Sequence, residues 1–122
     1  MAEREPDLAE WDYGGDEGRR STDIRLERPG WSVYRDGCPD GETPTQVTDR
    51  ADRVIARLRT LGGTIALFSH GQIGSSLAVR WIGLPIIEWQ HFVLGTAAVG
   101  VLGSNPDHAD LSVISVWNLK PP

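Results

Sequence analysis

His70 is the residue in this chain whose type and position point most directly to chemistry. It follows the apolar run 64–68 and Ser69, and it precedes Gly71, where a helical pattern begins. The run predicts a parallel strand, and a side chain at the carboxyl end of such a strand faces the N-terminus of the next helix. Helix amides attract anions, and a protonated imidazole donates to the same anion. The alternative is a structural histidine that is hydrogen-bonded to backbone.

Acidic residues provide the second kind of candidate. Glu10 lies beside Trp11 in a glycine-rich loop, and a carboxyl group against an indole ring is a candidate general acid. The alternative is a solvated loop carboxylate, which its loop position alone favours. Glu42 directly precedes a helix and is expected to contact the amides of the first turn. Three further residues are expected to be structural or solvated: Cys38, His91 and His108.

Several function classes lack their usual sequence signals. No histidines, cysteines or carboxylates have metal-ligand spacing, and neither a phosphate-binding P-loop nor a dinucleotide fingerprint occurs, so we expect no metal site and no cofactor. The net charge of −5 argues against nucleic-acid partners. The sequence contains no apolar core of a signal peptide and no apolar stretch long enough to span a membrane, so we expect no membrane contact. The single cysteine is typical of a protein in a reducing compartment. Together these features predict a cytoplasmic protein.

The elements that must position His70 form an α/β pattern. Thr43 and Gln46 have capping-box spacing around Pro44, and apolar residues then recur at helical spacing until two glycines follow Leu61. The expected elements are a short helix 21–28, helix 44–61, strand 64–69, helix 72–82 and strands 92–102 and 111–117. This order predicts one α/β domain over residues 1–122.

Four motifs in this order resemble those of the histidine phosphatase (phosphoglycerate mutase-like) superfamily. The motifs are Leu8-Ala9-Glu10-Trp11-Asp12-Tyr13-Gly14, similar to its acid loop, Gly41-Glu42-Thr43, similar to its substrate lid, Phe68-Ser69-His70-Gly71, similar to its second catalytic histidine, and Leu94-Gly95-Thr96, similar to its C-terminal part. The resemblance extends from about residue 8 to residue 118.

The resemblance implies a three-layer sandwich with a mostly parallel sheet, and a phosphomonoesterase that acts on a phosphorylated small molecule. In that family a histidine from an Arg-His-Gly triplet attacks phosphorus, and a second histidine holds the phosphoryl oxygens while a carboxylic acid protonates the leaving oxygen. Carried over, His70 matches the second histidine and Glu10 the acid, and Gly71 and Glu42 are expected near the substrate.

One part of the family pattern is missing from these residues. None of the three histidines follows an arginine, so the Arg-His-Gly triplet is absent, and Ser75 stands where relatives often have arginine. We therefore expect an N-terminally truncated version of the fold, without the strand that carries the nucleophile. Strand 64–69 would then form an uncovered apolar edge, for which we expect self-association.

Three interpretations remain open at this point. The first is a histidine phosphatase-type phosphomonoesterase that is incomplete and inactive as this chain. The second is a non-catalytic relative that binds a phosphorylated ligand or a partner protein. The third, from residue patterns alone, is an unrelated α/β interaction domain in which His70 is structural.

Overall fold

The computed structural model describes residues 2–122, and it consists of helices and a small sheet. The helices are α1 (Ser21–Glu27), α2 (Val33–Asp36), α3 (Pro44–Leu61) and α4 (Gly71–Trp81), with 3-10 turns at Pro6–Leu8, Gly14–Asp16 and Ile86–His91; the strands are β1 (Val99–Ser104) and β2 (Ser112–Leu119). None of these helices combines the length and apolar content that crossing a membrane requires.

Helix α3 begins and ends where its sequence signals predict. The Gln46 amide donates to Thr43 Oγ1 over 3.1 Å, and the Thr43 amide donates to Gln46 Oε1 over 2.9 Å, which completes the capping box. Gly62 ends the helix with φ of 67°, a backbone conformation that glycine adopts without strain. The buried face of α3 consists of Val47, Ala51, Val54 and Ile55.

Helix α4 packs against α3 and begins directly after His70. Leu77 of α4 lies in one buried cluster with Val54 and Ile55 of α3. At the margin of this contact, the Arg80 guanidinium donates to both carboxylate oxygens of Asp52, over 2.8 and 3.0 Å. The predicted helix 72–82 is thus present, shifted by one residue, and its N-terminus is fixed relative to α3.

The sheet differs from the predicted one. Within residues 2–122 it has two strands, β1 and β2, which pair antiparallel. Residues 64–69, predicted as a buried parallel strand, form no strand here and are exposed, Phe68 to 89%. A strand needs a neighbour for its backbone groups, and no described segment pairs with this one. The mostly parallel three-layer sheet is therefore not found among the described residues.

The predicted strand 92–102 also begins later than expected. Residues 92–98 precede β1, and Leu94 lies against α4, where a Cβ built on Gly74 would stand 2.9 Å from Leu94 Cδ2. Apolar residues in this segment thus serve a packing contact with a helix, which periodicity alone does not distinguish from a strand. The second predicted strand, 111–117, corresponds to β2.

The main hydrophobic cluster joins the N-terminal loops to both long helices. It consists of Trp11, Ile24, Trp31, Val33, Val47 and Ile73. The indole of Trp11 donates to the Glu42 carbonyl over 3.3 Å, and that of Trp31 donates to the Gly37 carbonyl over 2.8 Å. Burial of these two indoles holds the loop that contains Glu10 against the start of α4.

Candidate functional site

The Glu10 carboxylate lies on the N-terminus of α4. Its Oε1 accepts hydrogen bonds from the Ile73 amide at 2.8 Å and the Trp11 amide at 3.0 Å, and its Oε2 accepts one from the Gln72 amide at 3.1 Å. The first amides of a helix have no acceptor within the helix, so this carboxylate supplies partners for two of them. The structure thus brings Glu10 to the helix that starts directly after His70, 60 residues further along the chain.

His70 is the N-cap residue of α4, and its side chain is exposed. Its carbonyl accepts from the Gly74 amide at 2.9 Å, whereas its imidazole makes no capping bond. The Gly71 amide has no acceptor within residues 2–122. An anion at this position would therefore meet one imidazole and one free amide, because Glu10 already occupies the next two amides.

Ser69 ties His70 to the loop that contains Glu10. Its hydroxyl donates to the Leu8 carbonyl over 2.5 Å, two residues before Glu10. This bond links the two sequence segments that carry the candidate acid and the candidate histidine, independently of the Glu10 carboxylate.

The C-terminal motif also contacts the start of α4. A Cβ built on Gly71 would stand 3.3 Å from the Leu94 carbonyl oxygen, so glycine permits this close approach. Ser75, where relatives often carry arginine, is buried and donates to the Phe92 carbonyl over 2.7 Å. Gly71 and Ser75 thus both serve contacts with residues 92–94.

An aromatic group surrounds Gln72, and sequence reasoning missed it. The Gln72 side-chain amide donates to the Tyr13 hydroxyl, and the Trp89 indole donates to the Gln72 carbonyl over 2.8 Å. The rings of Tyr34 and Trp89 lie 3.8 Å apart between centroids. No linear signal identifies this tilted ring pair, because 55 positions separate its two members. The aromatic group thus lies beside Gln72, whose amide donates to the Glu10 carboxylate.

Burial changes the acid–base behaviour of both tyrosines in the chain. Desolvation raises the pKa of Tyr13 above 10.0, against a smaller opposing effect of its bond with Gln72. Desolvation also raises the pKa of Tyr34, and the nearby Tyr13 raises it further. Both phenols therefore keep their protons to a higher pH than an exposed tyrosine, and the Tyr13 hydroxyl accepts the bond from Gln72.

Glu42 contacts an arginine rather than the amides of the following helix. Its Oε2 accepts from Arg50 Nε at 2.8 Å, and its Oε1 accepts from Arg50 Nη2 and the Asp12 amide, each at 2.9 Å. The expected contact with the first-turn amides of α3 is wrong, because the Thr43 side chain caps that helix. The carboxylate of Glu42 instead joins α3 to the loop containing Glu10. The role of Arg50 was not predicted.

The remaining candidates do not gather at this site. No group of three or more His, Cys, Asp or Glu side chains in the described part of the chain is arranged to hold a metal ion. Burial, with the Asp16 carboxylate beside it, raises the pKa of the Cys38 thiol to about 11, so this cysteine is a thiol at neutral pH. His91 is exposed and lies 3.9 Å from Glu88.

Comparison with known proteins connects this geometry to one family. The sequence profile of the histidine phosphatase superfamily (branch 1) matches residues 1–117. An acid phosphatase of Mycobacterium tuberculosis is 40% identical over 111 residues, and a sedoheptulose 1,7-bisphosphatase of Saccharomyces cerevisiae is 37% identical over 98 residues. The solved structure of an open reading frame product of Mycobacterium tuberculosis matches with a TM-score of 0.89 at 35% identity.

These matches cover most of this chain but only part of the relatives. The alignment with the acid phosphatase spans 89% of this chain and 55% of that protein, and the alignment with the bisphosphatase spans 66% and 36%. The structural match spans 95% of this chain and 60% of the other. The chain thus spans about half the length of the curated relatives it matches.

The buried aromatic group beside Gln72 gives a prediction about alkaline pH. Because the folded pKa values of Tyr13 and Tyr34 are raised, the folded chain retains protons that the unfolded chain loses. The contribution of these groups to stability is therefore present below the unfolded tyrosine pKa, near 10.0, and is lost as the pH rises above it. Tyrosinate absorbance should appear at higher pH in the folded chain than in the urea-unfolded chain. Coincident titration curves would contradict this burial.

Proposed function

The chain belongs to the histidine phosphatase superfamily, branch 1, and from this premise we propose that it carries the acid and one phosphate-binding group of a phosphomonoesterase site. The observation that carries the proposal is the Glu10 carboxylate on the amides of Gln72 and Ile73, two and three residues after His70. The proposed acid and the proposed second histidine thereby share one helix terminus.

Each residue has a definite role in the proposed reaction. A protonated His70 imidazole and the Gly71 amide donate to phosphoryl oxygens. The positive end of α4 also stabilises the negative charge of these oxygens. A nucleophilic imidazole forms a nitrogen–phosphorus bond as the phosphorus–oxygen bond of the ester breaks, and Glu10 gives its proton to the leaving oxygen. Water then attacks phosphorus, the nitrogen–phosphorus bond breaks, and the proton of that water returns to Glu10.

The nucleophilic histidine of this scheme is not among these 122 residues, in which no histidine follows arginine. We propose that an Arg-His-Gly strand from polypeptide outside them pairs with residues 64–69 and completes a mostly parallel, three-layer sheet. The exposed side chains of Ile65, Leu67 and Phe68 support this, because a covering strand and helix would remove apolar surface from water. Without that strand, the same surface favours self-association.

The proposed substrate class is a phosphorylated small molecule. Relatives named acid phosphatase and sedoheptulose 1,7-bisphosphatase support this class. Gly71 is proposed to face the phosphoryl group, and Glu42 is proposed to act at the edge of the same site through its contacts with Arg50. A cytoplasmic location, supported by the single cysteine, is part of the proposal.

A second candidate function is a phosphate-binding relative that performs no hydrolysis. The specific observation that favours it is the exposed His70 imidazole beside the Gly71 amide, which is unpaired within the described residues, because such donors at a helix terminus can bind an oxyanion without any nucleophile. The two candidates differ only in turnover, so binding and hydrolysis must be measured separately.

Phosphate titration of the 122-residue chain tests the site that both candidates share. In NMR spectra, inorganic phosphate should shift the His70 ring signals and the Gly71 amide, because these donors at the terminus of α4 have no acceptor within residues 2–122. The response should vanish in His70→Ala and persist in His91→Ala, whose imidazole is 66% exposed and lies on another turn. A response confined to His91, His108 or the arginines of α3 would contradict the proposed site.

Turnover separates the two candidates. The 122-residue chain should hydrolyse an aryl phosphate no faster than its His70→Ala variant, whereas a fusion that supplies an Arg-His-Gly strand should gain activity. In the fusion, Glu10→Gln should lower kcat by about 10²–10⁴-fold, because a general acid is lost. Asp12→Asn is the matched control, since asparagine can still accept the Gly14 amide bond. A fusion that binds phosphate and hydrolyses nothing would favour the non-catalytic candidate.

Sedimentation of the same two chains tests the proposed strand pairing. The 122-residue chain should self-associate, and the fusion should be monomeric because the added strand covers residues 64–69. A 122-residue chain that sediments as a monomer and unfolds as cooperatively as the fusion would contradict this placement of the strand.

A further inference from the structure

We propose that Arg50 is a positioning residue that holds Glu10 on the N-terminus of α4. Arg50 lies on α3 and contacts neither His70 nor the Glu10 carboxylate. Its guanidinium instead binds backbone carbonyls of residues that precede Glu10 and the carbonyl of Glu10 itself. The role as positioning residue for an acid rests on the proposed function of Glu10, but the contacts themselves do not.

Three carbonyl groups of the loop converge on the Arg50 guanidinium. Nη1 donates to the carbonyls of Asp7 and Ala9, each over 2.8 Å, and Nη2 approaches the Glu10 carbonyl at 3.4 Å. A planar guanidinium presents its donors in a fixed fork, so these contacts constrain the path of the backbone and not only its distance from α3. Lysine has no such fork.

Glu42 holds the guanidinium in the orientation that these contacts need. The Arg50–Glu42 pair is bidentate, and the two side chains are only 11% and 19% exposed. Glu42 also binds the far end of the loop: its carboxylate accepts from the Asp12 amide, and its own amide donates to the Asp12 carbonyl over 2.8 Å. Together, Arg50 and Glu42 therefore fix residues 7–12 at several points.

Other arginines of α3 contact the same N-terminal region in a different way. Arg53 binds the Asp7 carboxylate and Arg57 those of Glu3 and Glu5, with the arginines 59% and 49% exposed. Exposed pairs of this kind contribute little to stability and do not orient backbone. Arg53 is thus a natural control, since it lies one turn further along α3 and binds a side chain of the same loop.

The consequence should be measurable at two amides on another helix. The Gln72 and Ile73 amides lie in the first turn of α4, so their protection from hydrogen exchange depends on the Glu10 carboxylate. If Arg50 acts by positioning Glu10, removing it should expose these amides although Arg50 does not touch them. A purely local role of Arg50 on α3 would leave them unchanged.

Hydrogen exchange of the 122-residue chain, followed by NMR, tests the proposal. Arg50→Ala should speed exchange of the Gln72 and Ile73 amides by about tenfold relative to the buried amides of α3, as expected for loss of one hydrogen bond. Arg50→Lys should have a smaller effect in the same direction. Arg53→Ala should leave both amides at the rate of the unchanged chain.

A Glu10→Ala background distinguishes positioning from general loosening. If Arg50 acts through Glu10, then Arg50→Ala adds nothing at Gln72 and Ile73 once the carboxylate is gone. If Arg50→Ala unfolds the chain, Glu42→Gln, which weakens the hold on Arg50, should produce the same selective increase. Equal effects of Arg50→Ala and Arg53→Ala, uniform acceleration across α3 and α4, or an undiminished effect in the Glu10→Ala background would each overturn the proposal.

The exchange measurement and the phosphate titration fail independently. Selective exchange at the two amides without phosphate binding would leave the contacts of Arg50 in place and refute the proposed function. Phosphate binding at His70 without selective exchange would retain the proposed function and refute the role of Arg50.

Discussion

The bond between the Glu10 carboxylate and the first amides of α4 is the interaction on which the site depends. The N-terminus of a helix carries partial positive charge and unpaired amide donors. A carboxylate there neutralises the charge and accepts hydrogen bonds from the amides. The contact joins a loop near the start of the chain to a helix more than 60 positions later, and it does so directly beside His70. The Ser69–Leu8 bond joins the same two segments, but the Glu10 contact is what places the candidate acid itself on the helix terminus.

That contact also limits what else the helix terminus can bind. Two amides of α4 are occupied by Glu10 and a third donates to the His70 carbonyl, so Gly71 provides the remaining backbone donor. An oxyanion at this terminus therefore needs side-chain donors as well, and His70 is the nearest in sequence. Fewer amides are free here than at an open helix terminus, so the binding of an oxyanion would depend more strongly on side-chain donors.

The parts of the structure that local chemistry determines could be predicted from the sequence. The capping box of Thr43 and Gln46 marked the start of α3, and Gly62 marked its end. The strand predicted at 64–69 did not form, because a strand depends on a partner that a local pattern cannot reveal. In the site, the nearness of Glu10 and His70 followed from the family resemblance. The hydrogen bonds of Glu10, the backbone contacts of Arg50 and the contact of the Tyr34 ring with Trp89 join distant positions, for which neither periodicity nor a motif gives a signal.

A crystal structure of the chain soaked with orthovanadate tests the central claim, that Glu10 and His70 form one oxyanion site at the start of α4. The account predicts vanadate oxygens within hydrogen-bond distance of the His70 imidazole and the Gly71 amide, with Glu10 still bonded to the amides of Gln72 and Ile73. Vanadate bound only along the exposed arginines of α3, or a Glu10 side chain that leaves the helix terminus when the anion binds, would contradict it.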